Sequence, residues 1–197
     1  MKTIQYIKSV VVAATLITSS SFSFAQSSGV FKTFADYTSG KTDYGINCAT
    51  EKHKIKLNKF WGSDYITVIQ DDKRYDLKKA DIWGFQLCNE KPVRFQAKED
   101  YTVGDMGILW IYSKQSTLPG NAKTGGAKTI TTFYFSKGGD GEIKKLTLFN
   151  LKAAFPTNLM LPDAIDGQFW SDASLSEYDQ FHKHYRINHF LENQSIK

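Results

Sequence analysis

The sequence predicts an α+β fold that is mainly β: an antiparallel meander, closed as a barrel or folded as a sandwich, followed by a helical C-terminal segment. Short runs of alternating or β-branched residues fill the middle of the chain, and clusters of Gly, Pro, Asn and Asp separate them at regular spacing. After about Thr147 the apolar residues recur at helical rather than strand spacing. These observations indicate strands first and helices last.

The predicted strands follow one another closely along the chain. The run at 65–69 is β-branched and aromatic, and a turn at 71–73 leads from it into the next strand. The last two strands are expected to pair across the Gly-rich turn at 138–141. The predicted strands are 53–58, 65–69, 74–78, 82–87, 93–97, 101–103, 108–112, 129–135 and 142–146.

Three helices are predicted in the C-terminal segment. The first ends before Pro156, because proline cannot continue a helix. The third begins at Ser174, where Ser174 and Glu177 match the spacing of a capping box. The three predicted helices span 148–155, 164–170 and 174–188.

The first 25 residues have the features of a signal peptide. Lysines flank a positively charged start, an apolar run covers 10–17, and the small residues Ser23 and Ala25 precede the expected cleavage site. The apolar run is too short to cross a bilayer, which needs about 20 residues. We therefore predict cleavage before Gln26 and a soluble exported protein, periplasmic rather than fully secreted.

The mature chain, 26–197, has the size of a single domain. It is within the usual range of about 100–200 residues for one domain and is long enough to bury a core. Because the leader carries Lys2 and Lys8, its removal lowers the formal charge from +5 by two, to +3. This weak excess does not require a nucleic-acid partner, and no other stretch is apolar enough to predict a transmembrane segment.

The chain has two cysteines, Cys48 and Cys88. In an oxidising compartment an even count makes them a candidate disulfide, here closing a separation of 40 residues. The alternative is two small buried thiols, since the sequence does not show whether the two backbones approach each other.

Several short blocks distributed over most of the mature chain carry a resemblance. They are 29–33, 36–37, 79–85, 150–156, 178–183 and 187–188. Through these blocks the chain resembles a group of small exported proteins of unknown function found in Bacteroidetes-type bacteria. The resemblance implies an exported single domain, and it implies no activity and no functional residue.

Aromatic and basic residues provide candidate ligand contacts. Trp83 and Phe85 share one strand face, as do Trp110 and Tyr112, and exposed rings in such pairs could stack on sugars. The competing interpretation is that all four lie in the core, where large aromatic residues are mostly buried. A row of lysines could contact an anionic glycan or a phospholipid head group, although such rows are commonly solvated or protect a sheet edge. These lysines are Lys52, Lys54 and Lys56.

The stretch FHKHYRINHF at 181–190 holds three of the four histidines in the chain. On a helix beginning at Ser174, His182 and His184 point in nearly opposite directions, and His182 and His189 lie roughly 10 Å apart along the axis. Neither pair could then share a metal ion. We therefore predict a structural role, in which the helix docks on the β-rich body and His182 and His189 lie at the rim of the contact. The predicted docking residues are Leu175, Tyr178, Phe181 and Tyr185.

The sequence carries no recognisable catalytic signature. It contains no Gly-x-Ser-x-Gly elbow, and neither cysteine has a protease-like setting. We therefore predict a non-catalytic envelope protein that binds a glycan, a lipid or another protein, without cofactor, metal or catalytic residue. The alternatives are a periplasmic or secreted hydrolase whose site is assembled from scattered residues, and a subunit of a larger assembly.

Overall fold

The structure is a computed structural model that describes residues 27–51, 54–58, 63–120 and 126–194. The predicted signal peptide and its cleavage site lie outside the described residues. Within them the strands are β1 (Ser27–Phe31), β2 (Asp43–Asn47), β3 (Lys54–Lys56), β4 (Tyr65–Gln70), β5 (Lys73–Lys78), β6 (Gly84–Gln86), β7 (Val93–Gln96), β8 (Glu99–Met106), β9 (Leu109–Leu118), β10 (Lys128–Lys137), β11 (Lys144–Lys145), β12 (Tyr178–Asp179) and β13 (His184–Tyr185). The helices are α1 (Phe34–Ser39), α2 (Leu148–Ala153), α3 (Leu161–Gln168), α4 (Asp172–Leu175) and α5 (Arg186–Asn193), and a 3-10 turn covers Lys79–Asp81.

Eight strands form one antiparallel sheet in the order β11-β10-β9-β8-β7-β6-β1-β2. From β6 to β11 each strand pairs with the next in sequence, which is the predicted meander. The two ends of this order, β11 and β2, do not pair in the described part of the chain. The mainly β α+β fold with C-terminal helices is therefore confirmed, and the sheet is open rather than closed into a barrel.

Different elements cover the two ends of the large sheet. At the β6–β1 end, β3, β4 and β5 form a second antiparallel sheet, and Ile66 and Val68 of β4 pack with Val30, Phe85 and Phe95. At the β9–β10 end the C-terminal helices bury their apolar residues against the sheet. This second group comprises Leu109, Ile111, Phe135, Leu151, Ile165, Leu175, Ile187 and Leu191. Burial of apolar side chains at both ends is the main stabilising term of such a fold.

Helix α1 lies between β1 and β2 and starts at a capping box that the sequence analysis did not use. The Thr33 hydroxyl accepts a hydrogen bond from the Asp36 backbone N–H at 3.0 Å, and the Asp36 carboxylate accepts one from the Thr33 backbone N–H at 3.0 Å. Gly40 ends the helix with a φ of 71°. The helix buries Tyr37 in an aromatic cluster with Phe31, Trp83 and Trp110.

The first two predicted C-terminal helices exist with shifted ends. Helix α2 begins at Leu148 as expected, after Thr147 caps it by accepting from the Asn150 backbone N–H at 3.1 Å. Helix α3 begins at Leu161 rather than 164, because the Asn158 side chain accepts from the Leu161 backbone N–H and a proline occupies the first turn.

The predicted helix at 174–188 is wrong. The capping box lies three residues earlier, where Ser171 and Ser174 cap each other's backbone, so the short helix α4 has already ended at Leu175. The chain then forms the hairpin of β12 and β13, followed by α5. Asp179 starts the reversal, because its Oδ1 accepts from the backbone N–H groups of Phe181 and His182 at 2.8 and 3.1 Å.

The predicted pairing across the turn at 138–141 is confirmed. Tyr134 pairs with Lys145 and Phe135 with Lys144. None of the described helices has the length and apolar character needed to cross a membrane.

Candidate anion-binding pocket

A pocket of about 310 Å³ opens where the 3-10 turn meets the hairpin of β7 and β8 and the outer half of β9. Antiparallel pairing from β7 to β9 brings these segments together although they are distant in sequence. We call this site the lysine pocket. It is lined by Ser63, Lys79, Lys98, Glu99, Asp100, Lys114 and Gln115.

Lys79 is the innermost charge of the lysine pocket and is only 4% exposed. Its Nζ donates a hydrogen bond to the Lys98 carbonyl oxygen at 2.9 Å and lies 5.6 Å from the centroid of the Phe95 ring. Among the described residues no carboxylate lies within ion-pair distance of this ammonium group. The backbone N–H of Lys79 donates to the Asp64 carbonyl at 2.8 Å, and this bond fixes the start of the 3-10 turn.

The position of Lys79 is unusual for a lysine. Taking an ammonium group out of water is costly, and buried charges are normally paired with an opposite charge. An ammonium group has three N–H donors, and here one protein oxygen and one ring face are its partners. A negatively charged ligand in the pocket would supply the opposite charge that Lys79 lacks.

A second lysine of the pocket is paired. Lys114 forms an ion pair and a hydrogen bond with Glu99, and its Nζ lies 5.8 Å from the centroid of the Tyr101 ring. Burial opposes the charge on Lys114, but the hydrogen bond and the charge of Glu99 outweigh this effect and raise the pKa of Lys114. Among the described residues of the lining, three lysines face two carboxylates, which leaves an excess of one positive charge in this part of the chain.

The turn between β7 and β8 presents the Lys98 carbonyl to Lys79. Gln96 pairs with Glu99, so the turn consists of Ala97 and Lys98. Ala97, the first of these two residues, has a φ of 55°. A two-residue turn with positive φ at its first residue only is a type II′ turn, which prefers glycine at that position. An alanine in this position is strained, so the local geometry is held by its surroundings.

The four aromatic candidates for ligand stacking are all buried. Trp83, Phe85, Trp110 and Tyr112 are 8%, 3%, 9% and 0% exposed. The Trp83 indole donates to the Gly139 carbonyl at 2.8 Å, and the Tyr112 hydroxyl accepts from Arg94 at 2.8 Å. These rings form the core, and the stacking interpretation is wrong for them because no ring face is open to a ligand.

The two cysteines are placed as predicted for a disulfide. The sulfurs of Cys48 and Cys88 lie 2.16 Å apart, at disulfide distance, and join the segment after β2 to the segment after β6.

The predicted row of lysines is described only in part. Lys56 is exposed, and Lys52 and the side chain of Lys54 lie outside the described residues. Lys56, whose side chain the structure describes, does not line the lysine pocket.

The histidines are arranged differently from the predicted helix because the chain reverses at Asp179. His182 and His189 are not 10 Å apart: their rings stack with centroids 4.1 Å apart. His182 Nδ1 lies 2.7 Å from Asp179 Oδ2, and His184 Nδ1 lies 3.2 Å from Asp105 Oδ1. In the described part of the chain no group of three or more His, Cys, Asp and Glu residues is placed to hold a metal ion.

The predicted docking residues are divided between core and surface. Leu175 is fully buried, and the half-buried Tyr185 ring lies 5.8 Å from the Phe133 ring. Tyr178 is 41% exposed and Phe181 is 87% exposed, so the docking prediction is wrong for these two. Phe181 lies at the tip of the hairpin rather than on a helix face.

Sequence reasoning missed the lysine pocket. Lys79, Lys98 and Lys114 lie on different elements, and nothing in their local sequence distinguishes them from other surface lysines. The buried position of Lys79 results from tertiary packing on Phe95 and the β7–β8 turn.

Comparison with known proteins gives no relative: no family model, no curated protein and no solved structure matches this chain.

Proposed function

We propose that the protein is an exported, non-catalytic binding module that holds an anionic group of its ligand in the lysine pocket. The observation that carries the proposal is Lys79, a buried ammonium group that lines a pocket and has no carboxylate partner among the described residues. Three ligand classes carry an anionic group of this kind: glycans, lipid head groups and proteins. Binding requires no catalytic residue, because the ligand only completes the hydrogen bonds and charge of the pocket.

Export is the second part of the proposal. The N-terminal leader has the charged start, apolar run and small-residue ending of a signal peptide. The disulfide distance between Cys48 and Cys88 is compatible with an oxidising compartment. Mass spectrometry of the protein from the periplasm should give an N-terminus at Gln26, and a retained leader would contradict export by this route.

Thermal melting with simple anions tests the binding proposal. A ligand that binds only the folded state raises the melting temperature. At constant ionic strength, replacing chloride with phosphate or acetate should raise the melting temperature of the wild type. The Lys79→Met variant should lose this gain relative to its own baseline.

Lys128→Met is the matched control, since Lys128 is exposed and lies outside the pocket. It should keep the full gain. Equal gains in wild type and Lys79→Met would contradict the proposal.

A second candidate function, hydrolysis, is favoured by the Asp105–His184 pair. The Asp105 side chain is 8% exposed and faces His184 Nδ1, an arrangement in which a carboxylate orients a histidine base. Within the described residues the His184 ring hydrogen-bonds only to Asp105, so the arrangement lacks a hydroxyl or thiol nucleophile bonded to the ring. Turnover of ester or glycoside substrates that disappears in His184→Ala would establish this function in place of simple binding.

A further inference from the structure

We infer that the ligand of the lysine pocket is an acidic sugar, a polyhydroxylated ring that carries a carboxylate. This inference rests on the proposed function, since it names the chemical class of the ligand in the same pocket. It follows from the composition, size and charge arrangement of the lining.

The described residues that line the pocket are all polar or charged. They combine ammonium groups with the carboxylates of Glu99 and Asp100, the hydroxyl of Ser63 and the amide of Gln115. None of these described residues has a wholly apolar side chain, so an acyl chain or an apolar peptide side chain would contact only the stems of polar side chains among them. This composition disfavours a lipid tail and favours a ligand that is hydrophilic on every side.

The two signs of charge suit a ligand with both acceptors and donors. Lys79 supplies the positive charge for a carboxylate, and the excess of one positive charge over the described lining residues matches a single negative charge on the ligand. Carboxylates accept hydrogen bonds from hydroxyl groups, and the amide of Gln115 both donates and accepts. A sugar hydroxyl also donates and accepts, so it can bond to the Gln115 amide and the Ser63 hydroxyl as well as to the ammonium groups.

The volume sets the size of the ligand. A pocket of about 310 Å³ is near the lower end of the range for small-molecule sites, which is about 300–1,000 Å³. This space suits one or two sugar rings rather than a long oligomer buried along its length. The terminal or branching acidic sugar of a glycan would enter the pocket, and the remaining chain would stay in solvent.

Titration calorimetry of the purified protein with glucuronate, glucose and acetate tests the inference. Glucuronate should bind at least tenfold more tightly than acetate, because its hydroxyls add contacts to Ser63, Gln115 and the carboxylates. Glucose should show no measurable binding, because it lacks the charge that pairs with Lys79. Gln115→Ala should weaken glucuronate binding several-fold and leave acetate binding unchanged, and the exposed position of Gln115 makes this variant safe for folding.

The outcomes separate the two proposals. If acetate binds as tightly as glucuronate and both are lost in Lys79→Met, the acidic-sugar inference is wrong and anion binding stands. If glucose binds as tightly as glucuronate, the role of Lys79 is wrong and both proposals fail. Absence of binding by all three compounds to folded protein also overturns both.

Discussion

Two aspartates shape the hairpin of β12 and β13, and each accepts several hydrogen bonds. Asp179 accepts from the backbone at the tip, as well as from the His182 ring at 2.7 Å. Asp105, on β8, accepts from the Tyr185 backbone N–H at 3.1 Å and from the Asn188 side chain at 3.0 Å. The Asp179 contacts fix the turn of the hairpin, and the Asp105 contacts join the hairpin and α5 to the large sheet. Asp105 is distant in sequence from the predicted helix, so no local pattern reveals its contacts.

We predict that the Asp179 carboxyl titrates near pH 2. Its hydrogen bonds to the ring and backbone of His182 lower the pKa of Asp179 from an ordinary value of 3.8 to about 2. Because the folded-state pKa is depressed, the stabilisation by this carboxylate is present above pH 4 and is lost as the pH falls through about 2. Side-chain carbon NMR measured against pH gives the midpoint.

Two histidine variants control this measurement. His182→Ala should move the Asp179 midpoint towards 3.8, because it removes the ring hydrogen bond. His189→Ala should leave it near 2, since His189 stacks on His182 without bonding to Asp179. A wild-type midpoint of 3.8 would show that the ring and carboxylate are not paired in solution.

Glycine is required at position 84 by the close approach of β7. A Cβ on Gly84 would lie 2.1 Å from the Val93 carbonyl oxygen, and this backbone is fixed by strand pairing. We predict that Gly84→Ala lowers the free energy of unfolding by about 3 kcal/mol, as overpacking does in a tight core. Urea denaturation measures the change.

Gly167 in α3 provides the matched comparison, because a Cβ there meets no heavy atom within 4 Å. Gly167→Ala should raise the free energy of unfolding by up to about 1 kcal/mol, the difference in helix propensity. Similar effects of the two alanine substitutions would contradict the packing described for β6 and β7.

At the scale of elements, the turn between β7 and β8 stores strain beside the pocket. Ala97→Gly should raise the free energy of unfolding by about 0.5 kcal/mol, because relief of the positive φ exceeds the entropy that glycine loses on folding. Ala153→Gly, at an exposed position in α2, should instead lower it by about 1 kcal/mol. Equal destabilisation by both substitutions in urea denaturation would show that Ala97 is unstrained.

The elements differ in how far the sequence predicts them. The strands from 65 to 112 were predictable because each is a short stretch of apolar or alternating residues bounded by turn residues. The short helix α4 and the hairpin after it were not predictable, because Ser171 and Ser174 compete with Ser174 and Glu177 for the same capping pattern. In the folded chain Glu177 pairs with Arg186 across the hairpin, a contact that no local pattern reveals.

At the scale of the whole molecule, the disulfide joins β2 to the meander across a separation of 40 residues. In the chain-entropy account, closing such a loop stabilises the folded state by roughly 4 kcal/mol. We predict that the double variant Cys48→Ser, Cys88→Ser loses about this amount in urea denaturation. Intact mass after alkylation, with and without reduction, reports the bond itself, and two alkylated thiols in unreduced periplasmic protein would contradict it.

The lysine pocket is also a property of the whole molecule. Its lysines lie on the 3-10 turn, the β7–β8 turn and β9, and only the order of strands in the sheet brings them together. The sequence pointed to aromatic pairs and a lysine row because both share a local strand face. Periodicity predicts which residues share a face, whereas a site between separate elements depends on topology.

Carbon NMR of the lysine side chains during a titration with glucuronate tests the central claim most directly. The account predicts that the Cε–Hε signal of Lys79 shifts and saturates, and that the signal of Lys128, which lies outside the pocket, does not move. A Lys79 signal that stays fixed, or that moves only as much as the signals of exposed lysines, would contradict the assignment of this pocket as an anion-binding site.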